Sequence, residues 1–152
     1  MATRFQGARD ENLALDTYVK LVRASSTVLG IVARRVAEAD LTPSQFGVLE
    51  TLLHLGPSSQ RALGQKLLIS GGNVTMVVGN LERRGLIARQ RRADDARVME
   101  VSLTPKGRRL IKRLFPKVAR LVAEKLAALG DREQSQLGRL ARKLGLALSE
   151  PD

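Results

Sequence analysis

Apolar residues recur at a helical period over the first forty positions, at Leu13, Leu15, Tyr18, Val19, Leu21, Val22, Val28, Leu29, Ile31, Val32 and Val36. The spacing predicts one long amphipathic helix over residues 12–39 with a single broad apolar face. Gly30 weakens that helix without ending it. Thr42-Pro43 is a start signal, because threonine caps a helix and proline suits its first turn. Phe46, Val48, Leu49, Leu52 and Leu53 form the apolar side of the short helix that follows, which stops at Gly56-Pro57. Ser58 or Ser59 can cap a third helix over 60–68, with Leu63, Leu67 and Leu68 buried. Next comes the tight connection Ile69-Ser70-Gly71-Gly72. Val74, Val77, Val78 and Leu81 then lie at i, i+3, i+4 and i+7, which predicts a helix over 73–84 with Gly85 as its C-cap.

Beyond Gly85 the period changes from that of a helix to that of a strand. Leu86–Arg92 and Val98–Leu103 flank Ala93-Asp94-Asp95-Ala96-Arg97, and the second run alternates Val98, Glu100 and Ser102 with Met99, Val101 and Leu103. That is a hairpin with one buried face. Thr104-Pro105 repeats the earlier start signal and opens a helix to about residue 129, with Leu110, Ile111, Leu114, Val118, Leu121, Val122 and Leu126 apolar. Pro116 removes one backbone hydrogen bond inside it, so a kink is expected there. Gly130-Asp131 breaks the chain, and a last helix over 132–148 carries Leu137, Leu140, Ala141, Leu144 and Leu148 as a stripe.

The predicted fold is therefore mainly α with a small β-wing. A winged helix-turn-helix core over 41–104 is flanked by long amphipathic helices in 1–40 and 105–152. A core of 64 residues offers too little surface to bury three further apolar stripes. The terminal helices are accordingly expected to dimerise about a two-fold axis, which places two probe helices about 34 Å apart, one turn of duplex DNA.

Charge and composition narrow the function. The net charge is +11, and residues 61–113 hold thirteen lysines and arginines against four carboxylates, a local balance of +9. Concentration in one segment marks a footprint for a polyanion more than a solubilising surface. With no cysteine and one histidine, His54, the chain has neither thiolate metal sites nor the material of a catalytic triad, so an enzyme is not expected and no cofactor is implied. No apolar run approaches the roughly 20 residues of a membrane span. The N-terminus also lacks the apolar core of a signal peptide. A cytoplasmic protein with no membrane partner is expected.

Two constellations carry the chemistry. The polar side of the helix over 73–84, with Ser70 and Gly72 at its front and Asn73, Thr75, Met76, Asn80 and Arg83 along it, suits base edges and phosphates; its N-terminus attracts anions. Asn73 can pair with adenine, and Thr75 and Met76 can touch a thymine methyl. On the hairpin, Arg89, Arg91, Arg92 and Arg97 surround the tip. Arginine there can enter a minor groove, and Asp94 or Asp95 can hold Arg97 by a bidentate ion pair. Taken singly, each has a plain reading, as a capped surface helix or a solvated hairpin. Their adjacency favours double-stranded DNA. The alternative is an assembly module whose basic wing meets an acidic protein partner.

The run from Ser70 to Gly107 resembles the multiple-antibiotic-resistance regulator (MarR) family of winged-helix transcription factors. The matching pieces are Asn73-Val74-Thr75, Leu81-Glu82-Arg83-Arg84-Gly85-Leu86-Ile87, Asp94-Asp95-Ala96-Arg97 and Ser102-Leu103-Thr104-Pro105-Lys106-Gly107, together with Thr42-Pro43-Ser44-Gln45-Phe46. The resemblance implies a homodimer with intertwined terminal helices on palindromic operator DNA, more often a repressor than an activator, and often released by a small aromatic or phenolic effector. It also implies that Asn73, Thr75 and Met76 face the major groove, and that Arg97 faces the minor groove braced by Asp95. Relatives often carry arginine where Met76 stands, and some a charged residue at Gly79, so the wing here is expected to carry more of the affinity.

Overall fold

A computed structural model describes residues 5–67, 71–92, 97 and 99–148. Among these residues the order is α1 (Arg9–Ala37), α2 (Pro43–Leu55), β1 (Ser58–Ser59), α3 (Gln60–Leu67), α4 (Gly71–Arg83), β2 (Ile87–Arg91), β3 (Met99–Leu103), α5 (Pro105–Leu126) and α6 (Asp131–Leu148). Each predicted helix is present within a few residues of its expected ends. Leu68, Ile69, Ser70, the hairpin tip 93–96 with Asp94 and Asp95, and Val98 lie outside the described residues.

Local chemistry sets the helix starts. At α2 the Thr42 hydroxyl accepts from the Gln45 amide at 3.2 Å and the Gln45 side chain accepts from the Thr42 amide at 3.0 Å, a reciprocal capping box. Ser59, not Ser58, caps α3, accepting from the Ala62 amide at 3.2 Å. At α5 the Thr104 hydroxyl accepts from the Gly107 amide at 3.0 Å. Pro116 lies inside α5, which runs on to Leu126.

One element exceeds the sequence reading. Ser58 and Ser59 pair with Val101 and Glu100, so the hairpin is part of a three-stranded antiparallel sheet of order β1-β3-β2. Two residues show no alternation, and such a strand is recognised only by its partner.

The chain forms two compact units, Met1–Val118 and Ala119–Asp152. In the first, Val48, Leu49, Leu52, Leu63, Val74, Val78, Leu81, Ile87 and Val101 make the core, joined by Val36 from the end of α1 and Ile111 from α5. Leu67, expected to be buried, is half-buried; it reaches α2 because Gly47 has no side chain, and a Cβ there would stand 2.9 Å from Leu67 Cδ2. Asp40 adopts a left-handed conformation (φ 54°), which aspartate tolerates. Its carbonyl accepts from the Arg84 guanidinium at 2.5 Å, tying the end of α4 to the end of α1. In the second unit, the Glu133 side chain accepts from the Gly130 amide at 2.8 Å, and the Gln134 side-chain Nε2 donates to the Leu126 and Leu129 carbonyls at 3.1 and 2.9 Å, clasping the bend before α6. No residue of α6 is buried.

Candidate nucleic-acid interface

The apolar period of α4 decides which of its faces is presented. Val74, Val77, Val78 and Leu81 are all buried, so Gly72, Asn73, Thr75 and Met76 are exposed on the opposite side. Met76 is 59% exposed, a large apolar side chain in solvent at the centre of this face. Gln60, the first residue of α3, donates to the Thr75 hydroxyl at 3.3 Å. It thereby joins the front of α4 as a candidate that the sequence reading omitted, since the contact spans fifteen positions.

The exit from α4 is a Schellman turn. Gly85 (φ 66°) lets its amide reach the Glu82 carbonyl at 2.8 Å while the Leu86 amide reaches the Leu81 carbonyl at 3.0 Å, the paired bonds that close a helix end. Lys106 donates to the Arg84 carbonyl at 2.9 Å, placing a cation at the negative end of the helix dipole. The Thr104 hydroxyl donates to the Gly85 carbonyl at 2.8 Å. The wing leaves the core from this junction.

Burial falls outward along the wing. Ile87 pairs with Leu103 at the base and Arg91 with Met99 towards the tip. Ile87 and Val101 are buried, whereas Arg91, Arg92 and Arg97 are exposed. The expected apolar face of β3 is therefore closed at Val101 and open at Met99. Arg91 stands roughly 13 Å from the base at about 3.3 Å per residue, so the wing presents its cations well clear of the core.

Several predicted contact residues are also used internally, as Thr75 is by Gln60. Arg83 donates to the Asn80 side chain, one helical turn back. Arg89 folds onto Glu82 of α4, donating through Nε at 2.9 Å and through Nη2 to the same carboxylate oxygen. That hydrogen bond from Arg89 holds the Glu82 carboxyl below the ordinary carboxylate range against the opposing effect of burial, and it raises the guanidinium of Arg89 in turn. Arg89, expected at the DNA, thus has a protein partner seven positions back that no local pattern reveals.

Elsewhere in the first unit, Phe115 stacks on Phe46 with ring centroids 6.5 Å apart and meets the edge of His54 at 4.7 Å. Tyr18 of α1 is exposed. Among the described residues no group of three or more His, Cys, Asp or Glu could hold a metal, and no helix is long and apolar enough to cross a membrane.

Comparison with known proteins bears on this geometry. A family model of the MarR family matches residues 39–98, from the end of α1 into the wing. An uncharacterized HTH-type transcriptional regulator of Bacillus subtilis, YkoM, is 34% identical over 133 residues, covering 88% of this chain and 86% of the relative. The HTH-type transcriptional regulator MhqR of the same organism is 29% identical over 133 residues, 88% of this chain and 92% of its own. Among solved structures, BpsR of Bordetella bronchiseptica, whose DNA binding is regulated by 6-hydroxynicotinic acid, superposes with a TM-score of 0.77 at 27% identity, over 86% of this chain and 98% of its own.

Proposed function

The chain belongs to the MarR family and is a DNA-binding transcriptional regulator, and from that premise we propose that it acts as a homodimeric repressor on palindromic operator DNA. The observation that carries this reading is the pairing, across one Schellman turn, of an exposed helix face backed by buried valines with an arginine wing. The face is lightly charged and suits base edges, while the wing suits phosphates and a narrow minor groove. Residues 41–104 grip the DNA in this reading, and the helices of 1–40 and 105–152 supply the dimer contact. Gly72, Asn73, Thr75 and Met76 meet the major groove, with Asn80, Arg83 and Ser70 at its margins. Arg91, Arg92 and Arg97 hold backbone and minor groove, Arg97 braced by Asp95. The exposed leucines of α6 support the dimer, since a lone protomer rarely leaves such a stripe in water. A small aromatic effector that releases the DNA fits the regulation of BpsR by 6-hydroxynicotinic acid. A repressor of this kind works in the cytoplasm by occupying its site.

Selection from a random duplex pool tests the reading, the expected product being a palindrome with half-sites about one helical turn apart. A pool that yields no enriched sequence refutes it. On the selected duplex, log affinity should fall linearly and steeply with log salt as counterions are released. Arg97→Ala should weaken binding by about 1–3 kcal/mol, the range for an arginine that reads DNA, while size-exclusion chromatography and circular dichroism stay as in the parent protein. Unchanged affinity in a gel-shift titration would remove Arg97 from the interface.

A further inference from the structure

The wing joins α4 through only Arg84, Gly85 and Leu86, and Gly85 sits in a left-handed conformation. The hydrogen bonds at this junction, from Thr104 to Gly85 and Leu86 and from Lys106 to Arg84, all act at the wing's base. On its other edge the wing is held by β1, which pairs with β3 at Val101 and Glu100, opposite Arg89 and Gln90; the tip beyond that level is controlled by neither set of bonds. Position 92 lies roughly 17 Å beyond position 87 at about 3.3 Å per residue, so a swing of about 15° moves it by roughly 4 Å, more than a hydrogen bond tolerates.

The Glu82–Arg89 pair joins β2 directly to α4, at the level where β1 holds β3. Glu82 lies in the last turn of α4 and Arg89 two residues into β2. The side chains are 35% and 32% exposed, so the pair is neither deeply desolvated nor adrift in water. Arg89 reaches one carboxylate oxygen with two nitrogens, a charge-assisted contact that ties the guanidinium to the end of α4. Such a contact links helix and wing before any DNA arrives. A partner ordered in advance binds with less loss of freedom.

We propose that Glu82 and Arg89 are positioning residues whose ion pair fixes the angle between α4 and the wing, so that the front of α4 and Arg97 reach one duplex together. Arg89 thus works from within the protein and does not contact a phosphate. The inference rests on the reading of Arg97 as a DNA contact, and its experiment separates the two.

Operator affinity of the full-length protein is measured on the selected duplex, with denaturant unfolding in parallel. Glu82→Gln should lower affinity about fivefold in the parent protein, the most that an exposed pair can supply, and less than about twofold further in an Arg97→Ala background. Its unfolding midpoint should stay near that of the parent, since a pair this exposed adds little to stability. The charge exchange Glu82→Arg/Arg89→Glu should return affinity to within about threefold of the parent, although Arg89→Glu alone is weak. Equal losses from Glu82→Gln in both backgrounds, or none in the parent, overturn the proposal while leaving Arg97 in place. An exchange variant as weak as Arg89→Glu overturns it by showing that the cation at position 89 itself meets DNA. Parent-like binding by Arg97→Ala overturns both readings.

Discussion

In the proposed homodimer, the combined substitution Leu140→Glu/Leu144→Glu is expected to yield a monomer and to lower operator affinity by about a thousandfold, the smallest usual gap between specific and non-specific binding. Leu137, Leu140 and Leu144 are 47%, 51% and 45% exposed and lie at i, i+3 and i+7 on one face of α6. Burying a leucine fully is worth about 1.5–3 kcal/mol. Putting a carboxylate in its place adds the cost of desolvating a charge with no partner. In a two-fold interface every change occurs twice, so four carboxylates would enter one contact. The winged unit has its own core in Leu49, Leu63, Leu81 and Ile111, so the helical signal in circular dichroism should persist. Sedimentation reads the mass and a gel-shift titration the affinity. A variant that stays dimeric with parent affinity would place the interface elsewhere.

Gly107→Ala is expected to destabilise the winged unit by about 3 kcal/mol, at the upper end for overpacking. A Cβ at position 107 would stand 1.9 Å from the Leu86 carbonyl oxygen and 2.8 Å from its carbon. These are backbone atoms at the root of the wing, and they cannot rotate away as a side chain would. The same carbonyl accepts from the Thr104 amide at 3.1 Å, so moving it disturbs the start of α5 as well. Alanine is the better helix former by about 1 kcal/mol, which sets two effects of opposite sign against each other, and the clash is the larger. Denaturant unfolding at fixed protein concentration measures the difference. A midpoint equal to or above that of the parent would mean that α5 can retreat from Leu86 at no cost. The close approach also accounts for the glycine in the run Thr104-Pro105-Lys106-Gly107.

The candidate site was legible in part, and the division is physical. Asn73, Thr75 and Met76 could be placed on an outward face because the buried set Val74, Val77, Val78 and Leu81 follows a period of its own. The roles of Arg89 and Gln60 could not be read in this way. Their partners, Glu82 and Thr75, lie seven and fifteen positions distant across a change of element, and many other pairings of a cation or an amide would fit the same composition.

What the sequence by itself determined is local: Thr42-Pro43 and Thr104-Pro105 start helices, Gly85 ends one, and the apolar periods select the buried faces. Those outcomes depend on interactions within one or two turns of chain, so a window of a dozen residues contains their cause. Only the tertiary structure decided that Ser58 and Ser59 form a strand on Val101 and Glu100, that Arg84 anchors on Asp40, that Glu82 holds Arg89, and that position 107 has no room for a methyl group. Each of these joins segments whose approach is set by the packing of the whole core, and packing is a property of the assembled fold that no local window contains.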